Sequence, residues 1–278
     1  MLPRVRARGG SVNGVLDIAI EGIGLCAAGL PDWETGAKLL ADTGAIIADA
    51  TVRPVPSLLA PNERRRAPES VLLALAVAEQ ACAMAQRNPR ELPNVFASAY
   101  GDLAISDYLC ATLAHAPLEL SPTRFHNSVH NAPAGYWTIA TGCMATSSAI
   151  SAGAATFGAG LLEAALLAQS ESTPVLFAAF DIAASGPLAD VVACRNAFAV
   201  AFVLAPGAIA TKAPRLRLHL RDAAAPGLAP PPARMHALFA ANPAAASLPL
   251  LAVLARREPV ALDLAASPHS YLHMEISF

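Results

Sequence analysis

Charge is scarce in this chain, and what there is nearly cancels. Only 14% of its 278 residues are Asp, Glu, Lys or Arg, and 19 basic against 21 acidic side chains leave a formal net charge of −2. That near-balance removes the electrostatic case for nucleic acid or an anionic membrane surface as a partner. The run Arg64-Arg65-Arg66 is the basic cluster, and it reads as a solvated turn. Long apolar runs are missing too. The longest, Ala152 to Ala168, is interrupted by Glu163 and filled with Gly and Ala. A membrane-spanning helix needs about 20 strongly apolar residues, so a buried core helix is expected instead. Arg4, Arg6 and Arg8 are not followed by the apolar stretch and cleavage site of a secretory signal. The five cysteines (Cys26, Cys82, Cys110, Cys143 and Cys194) show neither CxxC nor Cys/His metal-ligand spacing. They read as reduced, mostly buried small hydrophobes in a cytoplasmic protein, with no metal and no cofactor expected.

What is abundant is small and apolar. Hydrophobic residues make up 55% of an alanine-rich composition, so most elements must bury at least one face, and a dimer or other stable oligomer is expected. The length allows one large domain or two small ones. Residues 1–14 read as a flexible leader, 15–206 as the main unit, and 207–278 as a short strand and helix extension packed on the same domain.

Strands and helices alternate along the main unit. Leu16 to Leu25 reads as a mostly buried strand ending at glycines, and a helix follows from Pro31-Asp32-Trp33 to about Leu40, with Asp32 as its cap. Pro54 to Pro61 is a proline-punctuated loop. Pro68 to about Arg87 carries the apolar stripe Val71, Leu72, Leu75, Val77 and Ala78 of a core helix. Strands are expected at Val95–Ala99, Pro174–Asp181 and Ala197–Leu204, and a helix from about Ala104 to Ala114. Beyond Pro206, Arg215 to Leu220 alternates as a half-exposed strand should. Residues 223–232 form an Ala/Pro/Gly linker; helices then fall near Ala233–Ala240 and Leu248–Ala255, and strands at Val260–Ala265 and Tyr271–Ser277. This alternation predicts an α/β layered fold.

The chain is organised around Arg124 to Ala168. A polar lead-in studded with Asn and His runs into a helix, a Gly-containing turn, a short strand (Ser147 to Ile150), a corner at Ser151-Ala152-Gly153, and a long apolar helix. A strand feeding a helix through a small-residue elbow is where many enzymes mount a nucleophile, because the helix N-terminus stabilises negative charge there. Here the elbow carries Gly153. Two readings of it are compatible: a tight corner needs a small residue, and a nucleophile has been lost.

Nearby alternatives are weak. Ser151 and Thr156 would each need an adjacent base, and no Ser/His/Asp pattern supplies one. Cys143 sits in a Gly-containing turn without the electropositive setting a reactive thiolate requires. His126 and His130 are four apart, as helical metal ligands can be, but Asn127, Asn131 and Pro133 surround them and no third ligand is evident. These polar groups read as satisfying backbone at a buried interface. Asp181 at a strand end has two readings, a catalytic carboxylate of an α/β fold and the commoner capping role, and Tyr136 and Trp137 suit core or interface packing.

Glu21-Gly22-Ile23-Gly24-Leu25 with Trp33, Ala99-Tyr100-Gly101, Asn131-Ala132-Pro133-Ala134-Gly135, the elbow at 147–168 and Ala197-Phe198-Ala199-Val200-Ala201 resemble, in that order, the N-terminal half of β-ketoacyl synthases. Ser128-Val129-His130-Asn131-Ala132, Ser151-Ala152-Gly153 and Leu161-Leu162-Glu163-Ala164 resemble the short chain length factors of aryl polyene and xanthomonadin-type pigment clusters. The resemblance covers residues 16–205. It implies a thiolase-like layered fold with a truncated C-terminal half, a heterodimer with a catalytic ketosynthase, and a task on acyl or polyenoyl chains carried on acyl carrier protein. It also places Gly153 where active ketosynthases carry a cysteine, and leaves His269 and His273 without the family's histidine motifs. On this reading the chain is a non-catalytic subunit that shapes its partner's tunnel. Phe125, His130, Asn131, Ala134, Tyr136 and Trp137 are then its interface or tunnel candidates, and Ala134→Glu is expected to break the dimer. A second reading, a self-sufficient hydrolase or acyltransferase, needs Ser151, Cys143 or another hydroxyl near the elbow. A third is a homodimeric scaffold without an acyl ligand.

Overall fold

A computed structural model of the chain describes residues 14–41, 53–207, 213–222 and 233–278. The expected leader, apart from Gly14, and the expected linker 223–232 lie outside the described residues. In chain order the elements are β1 (Leu16–Ala27), α1 (Trp33–Ala41), α2 (Pro61–Arg66), α3 (Glu69–Ala85), β2 (Asn94–Ala97), α4 (Leu103–His115), α5 (Pro122–His126), α6 (Ala132–Thr141), β3 (Ser147–Ile150), α7 (Thr156–Glu171), β4 (Val175–Asp181), β5 (Phe198–Pro206), β6 (Arg215–Arg221), α8 (Ala233–Phe239), α9 (Leu248–Arg256), β7 (Val260–Ala265) and β8 (Tyr271–Ser277).

Local chemistry accounts for most boundaries. The Thr35 N–H donates to Asp32 Oδ1 at 2.7 Å, capping α1 as expected. α3 starts after Pro68, carries Glu69 in its first turn, and ends at Gln86 in the left-handed conformation. One expectation fails at Arg64-Arg65-Arg66. These arginines are the last turn of α2, where cations face the negative end of the helix dipole; Pro61 opens this short helix instead of closing the loop before it.

The strands form a single sheet in the order β3-β2-β4-β5-β1-β6-β8-β7. β2 pairs in parallel with β3 and β4, and every other pairing is antiparallel. All residues of β4 and β5 are buried, which is why both read as unbroken apolar runs rather than alternating ones. β6 turns Leu216 and Leu218 inward and leaves Arg215 and Arg217 exposed, while Leu220 near its end is itself exposed.

Two apolar cores flank the sheet. On one face α3 packs against β1, β4 and β5, and its Val71, Leu75, Val77 and Ala78 join Phe96 and Trp137. On the other, Phe157 of α7 meets Phe177 and Phe202 at centroid distances of 5.6 and 6.3 Å. α7 touches both edge strands, β3 and β7, as well as β1, β2, β4 and β5 between them. Eight strands at the usual spacing span about 34 Å laid flat, far wider than one helix can reach. The sheet therefore curls around α7. The approach is close: a Cβ on Gly158 would overlap the Ala265 carbonyl at the end of β7, and one on Gly160 would press on Phe177 and Ala97.

That contact makes a paired prediction. Gly158→Ala should cost about 2–3 kcal/mol by forcing backbone apart. Gly135→Ala, in α6 with nothing within 4 Å of the added carbon, should instead stabilise by about 0.5–1 kcal/mol through helix propensity. Urea unfolding of both variants measures the two signs, and similar values for both would rule out the close contact.

Candidate functional site

β3 ends at the elbow, and side chains there tie the backbone down. Ser151 Oγ donates to the Ala99 carbonyl at 3.1 Å. Thr156 is 1% exposed; its hydroxyl accepts from the Ala152 N–H at 2.9 Å and donates to the Gly153 carbonyl at 2.7 Å. Gly153 itself has φ +56°, a left-handed conformation that costs other residues energy. A Cβ placed on it would meet nothing within 4 Å. The glycine therefore serves the backbone angle, while the space a side chain would fill stands open.

The hydroxyls and thiols weighed as nucleophiles are spoken for. Ser151 and Thr156 make the bonds just described, with no histidine among their partners in the described residues. Cys143 is buried, with its Sγ 3.4 Å from the Leu92 carbonyl and 3.8 Å from Asn94 Nδ2. Burial pushes the thiols of Cys26, Cys82 and Cys194 up to about 11, 12 and 11, opposite to the direction a reactive thiolate needs. His273 Nδ1 lies 2.8 Å from Asp263 Oδ1, pairing neighbouring strands. His269 sits in the β7–β8 turn. Among the described residues no three His, Cys, Asp or Glu side chains converge as metal ligands would.

Beside the elbow lies a carboxyl network that sequence reasoning reduced to a capping role. Asp181 ends β4 with 1% exposure. It accepts from Ser98 Oγ at 2.8 Å and from the Tyr100 and Ala99 N–H groups at 3.0 and 3.3 Å. Burial pushes its carboxyl up to about 6, against the opposing pull of these donors and of His130. His130 Nε2 lies 2.8 Å from the Ser98 carbonyl, so that nitrogen carries the proton. From the other side Asn242, 4% exposed, donates through Nδ2 to the Asp181 and Asn196 carbonyls at 2.9 and 3.0 Å. Asn242 was missed in the sequence; the Asn-Pro pair it forms with Pro243, a turn signal, was the available cue. A cavity of about 470 Å³ opens between this network and the elbow, lined by Tyr100, Ala154, Phe239, Pro243, Leu248 and Leu264 among others.

The stretch proposed to face a partner divides in two. Phe125 is 61% exposed and Asn131 is exposed, with His130 and Tyr136 half-buried. Ala134 and Trp137 are 6% and 0% exposed and pack into this chain's own core, Trp137 lying 6.2 Å from the Phe96 ring. Their direction follows from helical phase: α6 puts positions 134 and 137 toward α3, and 139 outward. A glutamate at 134 would thus be buried in the fold itself, so that substitution does not test an interface. Exposed apolar groups in the same region are Val129, Ile139 and Met144, at 53%, 80% and 94%. His126 ends α5 and His130 lies in the loop before α6, so the two do not share a helix face. β3, which follows Met144, is an edge of the sheet.

The family described as β-ketoacyl synthase, N-terminal domain, matches residues 33–260. No curated protein matches the chain. Among solved structures, it is similar to one described as a ketosynthase (ApeO) in complex with its chain length factor (ApeC) from Xenorhabdus doucetiae, with TM-score 0.72 and 24% identity over 94% of this chain and 99% of that one. The ishigamide ketosynthase/chain length factor is similar with TM-score 0.70 and 15% identity over 95% and 99%. The AntDE:AntF complex, a type II polyketide synthase acyl-carrier protein with its ketosynthase bound to the hexaketide, gives TM-score 0.71 and 11% identity over 95% and 99%. At these identities the likeness is one of fold.

Asp181 carries a pH prediction. Its carboxyl titrates near 6 when folded and near 3.9 when unfolded, so between those values the folded chain binds more protons. Its contribution to stability is present below about pH 4, falls as pH rises through about 6, and amounts to roughly 3 kcal/mol. Urea unfolding at several pH values should show wild type losing more stability than Asp181→Asn across that window. Parallel curves for the two chains would mean that Asp181 is not the titrating group.

Proposed function

Because the chain belongs to the β-ketoacyl synthase family, whose thiolase-like α/β fold it has, we propose that it is a non-catalytic, chain-length-factor-like subunit. In this reading it pairs with a catalytic ketosynthase in the cytoplasm and shapes the tunnel receiving an acyl or polyenoyl chain from acyl carrier protein, in aryl polyene or fatty-acid-like synthesis. Residues 207–278 act as an extension of the same domain.

The observation that carries the reading is Gly153. The elbow has a left-handed backbone, a helix N-terminus and an open volume, yet position 153 offers no side chain that could be acylated. Condensation needs a nucleophile and a base acting together, and among the described residues no histidine is bonded to the elbow. Further support comes from the kind of structures the chain resembles, two of which are ketosynthase and chain length factor pairs and one a ketosynthase with an acyl-carrier protein. The exposed Phe125, Val129, Ile139 and Met144 beside the open edge of β3 suit a partner surface, since an edge strand and an apolar patch both call for cover. The alternative, a self-sufficient hydrolase or acyltransferase, finds no favouring observation: Ser151 and Thr156 bond to backbone and Cys143 is buried.

Two outcomes test the proposal. Co-expressed with a ketosynthase that retains its own cysteine and histidines, the chain should elute with it in size-exclusion chromatography. Ile139→Glu should weaken that complex at least about tenfold with an unchanged unfolding midpoint of the isolated chain. Acyl ester turnover by the purified chain alone, with no ketosynthase retained, would overturn the reading. In the second test Gly153→Cys should leave condensation undetectable, because one regained sulfur still lacks its base. Intact-mass spectrometry after incubation with acylated carrier protein is the readout. Wild-type acylation at Ser151, Thr156 or Cys143 would promote the enzyme instead.

A further inference from the structure

The wet face of the C-terminal strands carries a cluster that the elbow does not use. His219 on β6, His273 on β8 and Asp263 on β7 stand in one row across the sheet, 219 paired with 273 and 273 with 263. Alternation puts all three on the face away from the core, since Leu218, Leu262, Leu264, Leu272 and Met274 beside them are buried. His273 Nδ1 lies 2.8 Å from Asp263 Oδ1, and the two side chains are only 13% and 15% exposed. A carboxylate accepts, so Nδ1 carries a proton and the neutral ring keeps a bare lone pair on Nε2. The two nitrogens of an imidazole face nearly opposite ways. With Nδ1 drawn toward β7, Nε2 is aimed away from it, to the side of β8 on which His219 stands. The two ring centroids are 6.2 Å apart.

An imidazole fastened by one nitrogen to a carboxylate, with the other left open, is how proteins orient a histidine toward a metal ion. Two imidazoles sharing one ion through bonds of about 2.0–2.1 Å have centroids about 5–6 Å apart. A small turn of His219 about its own side-chain bonds closes the gap, and that residue is only half-buried. The surrounding charge suits a dication. Asp263 puts a negative charge behind the pair, and in the adjacent row Arg217 is neutralised by Glu275 at 3.2 Å. The row on the other side holds Tyr271 and Arg221, so a single cation opposes the ion. We propose that His219 and His273 bind one divalent transition-metal ion of the kind imidazole favours, Ni²⁺, Cu²⁺ or Zn²⁺. Asp263 is then the positioning residue and water fills the remaining places. The chain supplies two ligands, and among the described residues no third one joins them. Such an ion clips β6 to β8 on the face away from the elbow, whatever partner the chain has. The expectation of no metal rested on short-range spacing; the antiparallel pairing of β6 with β8 is what joins these two histidines.

Isothermal titration of the full chain with NiCl₂ tests the site, with the exposed Cys110 changed to serine so that its thiol does not compete. One ion per chain should bind. Cu²⁺ should bind more tightly than Ni²⁺, and Mg²⁺ should give no heat. His219→Ala and His273→Ala should each weaken Ni²⁺ at least about tenfold. His269→Ala, in the β7–β8 turn, should leave it unchanged. Asp263→Ala should weaken Ni²⁺ about tenfold, and Asp263→Asn should recover part of that loss, because its amide oxygen still accepts from Nδ1. Should a histidine variant fail to fold, a wild-type crystal soaked in NiCl₂ supplies an independent readout. An anomalous peak is then expected within about 2.1 Å of a ring nitrogen of both histidines. Ni²⁺ binding that survives both histidine substitutions, a wild-type affinity weaker than about 1 mM, or a peak found only elsewhere would each overturn the proposal.

Discussion

The architecture hangs on how closely α7 can lie inside the sheet. Gly158 has no side chain where the Ala265 carbonyl passes, and Gly160 has none where Phe177 and Ala97 press in. Ala164, Ala165 and Ala168, each fully buried, keep the inward side of that helix slim. Remove this slimness and the two edges of an eight-stranded sheet cannot both reach one helix. With it, the end of β7 comes back to the start of α7. The elbow and the C-terminal segment then share a wall, and the cavity between them is the volume their backbones enclose. Composition and site are linked in this way: the alanine and glycine content that leaves the chain poor in charge is what permits the curl.

A single buried carboxyl then sets the registry of the parts around the elbow. Asp181 takes three donors from the turn between β2 and α4, and its own carbonyl takes Asn242 from the segment after α8. His130 reaches the same turn through the Ser98 carbonyl. The exposed stretch proposed to meet a partner, the turn bearing Tyr100, and the cavity wall at Asn242 are thereby fastened to one another. Burial opposes the charge on Asp181 while its donors favour it, and burial wins. Keeping such a group in the interior is costly above its titration point, which is understandable if the turn it organises must not drift.

Much of this was legible in the sequence, where local chemistry decides the outcome. Pro68 and Glu69 announce α3, Asp32 caps α1, and the alternation of Arg215 to Leu218 shows which face of β6 is wet, though it lapses at the exposed Leu220. The corner at Ser151-Ala152-Gly153 could be placed because small residues between a strand and an apolar helix leave few options. What stayed hidden depends on contacts between distant residues. The outward face of α6 was not assigned, so Ala134 and Trp137 were grouped with Phe125 although the helix turns them inward. Asn242 could not be recognised, since its partners Asp181 and Asn196 lie far away in the chain. The curl of the sheet was equally invisible, because nothing near Gly158 in sequence indicates that Ala265 will lie against it.

Gly153 is small for a different reason from Gly158. If glycine were there merely because space was short, an added Cβ would collide with a neighbour, as it does at Gly158; it collides with nothing. What the position does impose is a left-handed backbone, which other residues adopt only at some cost. An enzyme can bear that cost to aim a nucleophile. In the proposed non-catalytic role nothing requires that cost, and glycine removes the strain while Ser151 and Thr156 keep the elbow's shape. Gly153 thus meets the backbone's demand without strain, and the elbow, the helix and the cavity wall support one another through Ser151 and Thr156.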